Sequence, residues 1–272
     1  MSSAGRRALV TGASGAFGSA LRAELRGRGW TVAGLDLRPG EDDPDVLACD
    51  VTDDAAVPGA VAAAVERLGG GVDLLVNNAG IGGPASAGEP PTDRVKQMID
   101  VNLLGAWRVT AAAIDDLVAS RGRVVMIASR MSFIGLPLGA AYGVSKRALV
   151  AYADALRAEY GTHVGVSCVH PAFVRTPIHD STREAGLRLE GFSREEPLER
   201  VIAAIVKAAE SPRPPRDIAV TRGGSLQIAV ARHLPRVVDR VVASRLAKSV
   251  GAGDLDGADL AAGLRDRHNS AR

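Results

Sequence analysis

"ALVTGASGAFGSAL", residues 8–21, joins a run of strand formers to a helical pattern through a cluster of small residues. Glycines here let the backbone turn sharply and approach a ligand closely. The amides at the following helix N-terminus can stabilise a pyrophosphate. Taken alone, such a turn is also compatible with a purely structural strand–helix joint. Asp36, in "GLDLRP" at the end of the next strand-like run, adds weight to the ligand reading. A carboxylate there can accept both hydroxyls of an adenosine ribose and would repel a 2′-phosphate. Residues 15 and 37 are Gly and Leu, so two places that could neutralise such a phosphate carry no cation, although Arg38 is near. NAD is therefore favoured over NADP.

Beyond this turn, β-rich runs alternate with helical patterns, which predicts an α/β, doubly wound three-layer fold on a parallel sheet. "RALVTG", "WTVAGLDL", "DVLACDV", "VDLLVNNAG", "GRVVMIAS", "THVGVSCVHP" and "DIAVTRG" supply seven strands. Several are apolar at consecutive positions, as strands covered on both faces require. Helices are expected near 16–28, 53–68, 92–119, 142–160 and 195–210. Residues 1–224 are read as one Rossmann-type domain, with a substrate lid at about 177–197. An amphipathic helix at 225–250 and a fraying tail at 251–272 complete a helical C-terminal extension. In that helix Leu234, Val237, Val238, Val241 and Val242 form one stripe, opposite Arg232, Arg236 and Arg240. Such a helix packs on its own domain or across a dimer interface, and can also lie on an anionic membrane surface.

Composition narrows the function classes. A net charge of +2 over 272 residues gives no reason to expect nucleic acid. Cys49 and Cys168 fit no ligand spacing, so no metal site and a cytoplasmic setting with reduced thiols are expected. No sustained apolar run follows the first arginines, and no stretch has the length of a membrane span.

Only four of the 33 basic residues are lysine, and one of them, Lys146, stands one helical turn after Tyr142. A phenol has a reference pKa of about 10, and a nearby ammonium favours its ionised form. A surface lysine beside a half-buried tyrosine would give the same spacing. Ser129 closes the strand "GRVVMIAS" and "NNAG" (77–80) closes the strand before it. Both stand at the C-terminal edge, where open α/β sheets bind ligands.

Together with "TGASGAFG", "VN" at 101–102 and "HPAFVRTP" at 170–177, these residues resemble the short-chain dehydrogenase/reductase family over about residues 6–222. The resemblance implies hydride transfer between NAD(H) and an alcohol/carbonyl pair. Tyr142 would be the acid/base, Lys146 would lower its pKa and hold the nicotinamide ribose, and Ser129 would bind the substrate oxygen. Asn102 would hold a water leading to Lys146. For the cofactor it implies Gly12, Ser14, Gly15, Ala16, Phe17 and Gly18 at the pyrophosphate and Asp36 at the ribose. Asp50 and Val51 would flank the adenine, Asn78, Ala79 and Gly80 would line the cleft, and Pro171, Val174 and Thr176 would lie at the nicotinamide end. Ala16 and Ala172 stand where the family usually has glycine. Ser132, His170 and His179 are read as structural or substrate-facing. Met131, Phe133, Ile134, Leu136 and Leu138 suggest an apolar pocket wall, hence a steroid-like or lipid-like alcohol or ketone. A homodimer or homotetramer is expected. The rival reading is a non-catalytic, NAD-sensing protein on the same fold.

Overall fold

A computed structural model of the chain describes residues 6–186, 195–253, 255 and 257–270. Seven parallel strands form one sheet: β1 Arg7–Thr11, β2 Thr31–Asp36, β3 Val46–Ala48, β4 Leu74–Asn77, β5 Arg123–Ile127, β6 Gly165–His170 and β7 Asp217–Ala219. Their order is β3-β2-β1-β4-β5-β6-β7. The order reverses direction between β1 and β4, and a crevice opens at such a switch outside the strand C-termini.

Alternation along each strand divides the core between two faces. Leu9, Leu75, Val124 and Met126 pack on one side, under α2 (Ala56–Arg67) and the helices that follow it. Ala8, Val10, Leu74, Val76, Val125 and Ile127 pack on the other, against α1 (Ala16–Gly27). Both sets are buried, which is why the strands read as continuous apolar runs.

The helix expected over 92–119 is interrupted. α3 covers Asp93–Ile99, a π-turn covers Asp100–Gly105, and α4 covers Ala106–Ala119. The following helix, α5, starts earlier than expected and spans Ala140–Tyr160. After it come α6 (Asp180–Glu184) and α7 (Leu198–Glu210). The latter begins only after Pro197, because Glu195 and Glu196 belong to a bridging segment paired with Phe173. The middle of the expected lid, 187–194, lies outside the described residues.

The C-terminal extension also differs from the single helix expected at 225–250. It comprises α8 (Arg222–His233) and α9 (Pro235–Gly251), separated at Leu234. The residue before a proline is driven out of the helical region, and Leu234 has φ −131 and ψ 55. Residues beyond 251, expected to fray, form α10 (Ala262–Ser270) and a small apolar cluster. Leu255, Ala258 and Ala261 are buried there beneath Leu246, Val250, Leu264 and Leu138.

Candidate active site

β1 ends in the glycine turn. Gly12 has φ +61, and a Cβ there would stand 2.9 Å from the Ala79 Cα, so only glycine fits without strain. Gly18 lies directly beneath the Gly12 carbonyl and leaves no room for a methyl. Neither Ala16 nor Ala172 is among the described non-glycine residues with positive φ, so both are accommodated without backbone strain. Helix α1 starts with neither a side-chain cap nor an acidic residue in its first turn, so its leading amides remain available to an anion.

Thr11 and Asn78 tie this turn to the end of β4. The Thr11 hydroxyl accepts from the Asn78 and Ala79 amides at 3.0 and 2.9 Å, and the Asn78 carboxamide donates to the Thr11 and Gly12 carbonyls. Asp36 is fixed by amides from Ser14 and Arg38, both at 2.9 Å, with its carboxylate on the cavity wall. Asp50 is held by Thr52 through amide and hydroxyl.

One cavity of about 1100 Å³ gathers most of the expected residues: Gly12, Gly15, Ala16, Phe17, Asp36, Asp50, Val51, Asn78, Ala79, Gly80, Ser129, Tyr142, Lys146, Pro171, Val174 and Thr176. Ser14, Gly18 and Asn102 are not on its wall; they position residues that are. Met131, Ile134 and Leu136 line the cavity as expected. Phe133 and Leu138 do not. Phe133 packs on the core between His170 and the guanidiniums of Arg147 and Arg232. Leu138 covers the C-terminal cluster.

The polar centre lies at the end of β5. Ser129 is buried and caps a 3-10 turn at Arg130–Ser132 by accepting from the Met131 amide at 3.1 Å. The Ser129 hydroxyl also favours the ionised form of the Tyr142 phenol. Lys146 is buried, and its Nζ donates to the Ile127 carbonyl at 2.9 Å while standing 5.7 Å from the Tyr142 ring centroid. A Cβ on Gly80 would meet both Lys146 Nζ and Asn102 Oδ1. That glycine keeps the floor open. Asn102, 1% exposed inside the π-turn, clamps the Ile81 backbone: its Oδ1 accepts from the amide at 2.8 Å and its Nδ2 donates to the carbonyl at 3.0 Å.

Electrostatics here depart from the expectation that the ammonium acidifies the phenol. Burial pushes Tyr142 up to about 12, and Ser129 only partly opposes it. Burial pushes Lys146 down to about 8. Desolvation is the leading cause of both shifts.

Of the supports behind Ser129, sequence reasoning missed Arg130, Glu196 and Asp217, whereas it read His170 as structural or substrate-facing. Arg130 and Glu196 form a buried ion pair at 2.7 Å, and Glu196 also accepts from the Ala172 amide at 2.8 Å. His170, wholly buried, bonds Asp217 at 2.7 Å and faces the Ser129 carbonyl at 3.3 Å. Burial would raise Asp217, but hydrogen bonds from His170 and Arg232 hold it at about 2. Cys168 joins these two within 4.8 Å, a spacing a metal could bridge. Arg157 contacts the sulfur and Arg232 the carboxylate, so the cluster already contains its cations. Among the other histidines, His179 is on the cavity wall against Phe173.

Known proteins are similar to this chain in sequence and fold. Residues 6–186 match the model of the short chain dehydrogenase family. An uncharacterized oxidoreductase of Myxococcus xanthus is 35% identical over 64% of this chain and 74% of its own length. A putative ketoacyl reductase of Streptomyces coelicolor is 34% identical over 73% of this chain and 82% of its own. Among solved structures, a short chain dehydrogenase from Burkholderia cenocepacia in complex with NADP superposes with a TM-score of 0.74 at 21% identity, covering 88% of this chain and 97% of that one. A 3-ketoacyl-(acyl-carrier-protein) reductase from Brucella melitensis complexed with NADH gives 0.68 at 24%, covering 80% and 98%. With a glycine turn, a strand-end carboxylate and the Ser129–Tyr142–Lys146 group in one cavity, and with a family match over two-thirds of its length, the chain belongs to the short chain dehydrogenase family of oxidoreductases.

Proposed function

We propose that this protein transfers hydride between NAD(H) and a ketone or secondary alcohol with a hydrophobic body. The observation that carries the reading is the convergence of Ser129, Tyr142 and Lys146 on the cavity that also holds the glycine turn and Asp36. The names of ketoacyl reductases among the relatives support carbonyl chemistry.

The residues fit a dinucleotide. The open α1 N-terminus and Gly12 would hold the pyrophosphate, Asp36 the adenosine ribose, Asp50 and Val51 the adenine edge, and Val174 and Thr176 the carboxamide. Asp36 with Leu37 beside it supports NAD over NADP. When bound, the cofactor supplies or accepts the hydride. Tyr142, held protonated by burial, donates its proton to the ketone oxygen, and the Ser129 hydroxyl donates a hydrogen bond to the same atom. Below about pH 8 Lys146 carries a charge that stabilises the phenolate left behind. Arginine would place that charge differently, on a planar fork. Asn102 holds the backbone between β4 and α3 and so keeps the floor of the site open to Lys146.

Tyr142→Phe tests the assignment. It should bind NADH as the wild type does in calorimetry yet lose at least ~100-fold in kcat on ketones. Undiminished turnover would remove Tyr142 as the proton donor.

The same reading extends to assembly and place. Leu104, Trp107 and Val144 are exposed on the π-turn, α4 and α5, which supports a homodimer or homotetramer through these helices. Two buried free thiols support a reducing, cytoplasmic setting. Among the described residues no helix is long and apolar enough to cross a membrane.

A further inference from the structure

The cavity holding Ser129 and Tyr142 extends well beyond the sheet edge. Its far wall comes from α8 and α9, where Leu226, Val230, Val237, Val238, Val241 and Val242 line the same space. Helix α9 has no buried residue, and Val237 and Val241 are 43% and 46% exposed. β-branched residues at 237, 238, 241 and 242 follow helical spacing, so the apolar stripe is continuous and two residues wide. On its flanks stand Arg236, Asp239 and Arg240, all exposed. The stripe therefore belongs to none of the described core clusters. It faces the cavity, which Met131, Ile134 and Leu136 line from the loop after Ser129.

We propose, resting on the hydride-transfer reading above, that α9 is the binding wall for an apolar chain of the substrate. Val237 and Val241 are its specificity-determining residues, and the substrate class is a ketone or secondary alcohol carrying an extended aliphatic chain. Shape decides for a chain over a broad ring system. The stripe is narrow, and from Val237 to Val242 it runs about 7.5 Å along the helix axis, with Arg245 further along the same cavity wall. The surface also belongs to the reaction cavity itself, which assigns its occupant to whatever enters that cavity. Each methylene moved from water to such a wall strengthens binding roughly fourfold.

The test uses the full chain with NADH and two ketones, 2-butanone and 2-decanone. Wild-type kcat/KM should favour 2-decanone by at least ~10-fold, and Val241→Asp should reduce that ratio at least ~5-fold. Val241→Phe, which keeps the face apolar but fills the space, should reduce it as well. A second readout does not depend on turnover. In Val241→Cys, saturating 2-decanone with NAD+ should slow labelling by an uncharged maleimide at least ~5-fold, whereas 2-butanone should not; the native thiols are buried. A ratio unchanged in both variants, with labelling unaffected, overturns the proposal while hydride transfer stands. If the wild type reduces neither ketone, the hydride-transfer reading fails for this class, and labelling still decides: protection by 2-decanone supports the wall, and its absence overturns it. A change confined to sedimentation of the variants, with ratio and labelling unmoved, also overturns it and assigns the stripe to a second copy of the chain.

Discussion

Gly18 and Lys146 show how single positions are set by what surrounds them. A methyl at 18 would press on the Gly12 carbonyl and on the Ala13 backbone at 2.7 Å, none of which can yield as a flexible side-chain end would. Gly18→Ala should cost about 1–3 kcal/mol in urea unfolding and weaken NADH binding at least ~10-fold. Wild-type stability and affinity would mean the turn has slack. Lys146 gives a pH test of its own. Its folded-state pKa falls from 10.5 to about 8 because burial opposes the charge. Between those values the unfolded chain binds the extra proton, so this residue's contribution to stability rises with pH from about 8 to 10.5. Below pH 8 the buried charge costs its full amount. Lys146→Met should therefore be more stable than the wild type at pH 7, by ~1–3 kcal/mol, with the gap narrowing as pH approaches 10. Tyr142 does not blur this window, since its folded-state pKa is raised to about 12 and its stabilisation is lost only above about 10. A gap that stays constant from pH 7 to 10 would mean Lys146 is not strained by burial.

Among the elements, the π-turn at Asp100–Gly105 was hidden from sequence reading, whereas the strands around it were plain. β1, β4 and β5 are covered on both faces, so their apolar runs announce them. A π-turn shifts the hydrogen-bond ladder by one residue and leaves the helical pattern on either side intact, so 92–119 reads as one helix. The shift presents Asn102 to the Ile81 backbone, and its Nδ2 donates to the Ser145 hydroxyl as well at 3.0 Å. Asn102→Ala would leave the Ile81 amide and carbonyl without these partners beside the cavity. The expected cost is about 1–3 kcal/mol of stability, with a fall in kcat larger than any rise in KM, because the loop sets the floor under Lys146. Equal losses in several unrelated ligand affinities, with kcat intact, would make Asn102 merely structural. The break at Leu234 had a visible signal in Pro235, whereas the cluster around Leu255 and Ala258 did not. Its apolar residues are scattered among Gly and Asp and acquire meaning only when Leu138, from the distant loop after β5, covers them.

Among the described residues, Leu104, Trp107 and Val144 are large apolar side chains left exposed off the cavity wall, as is Leu234 on the C-terminal extension. Trp107 stacks on the buried Tyr152 at 4.5 Å, tying α4 to α5, yet 52% of its surface remains open. Val144, on α5, is 59% exposed, and Leu104 joins them from the π-turn. A tryptophan is a costly residue to leave in water, and aromatic side chains of this kind anchor interfaces. These helices also carry Asn102, Tyr142 and Lys146, so an interface along them would stiffen the elements that hold the site. Sedimentation should therefore show a dimer or tetramer at micromolar concentration. Trp107→Glu should shift it by at least one step of assembly, because a carboxylate buried at an interface without a partner is strongly disfavoured. The same variant should lose thermal stability in a concentration-dependent way, since association stabilises the folded state by mass action. A wild-type monomer, or a variant that sediments as the wild type does, would leave Trp107 as a surface residue and send the search for an interface elsewhere on the chain.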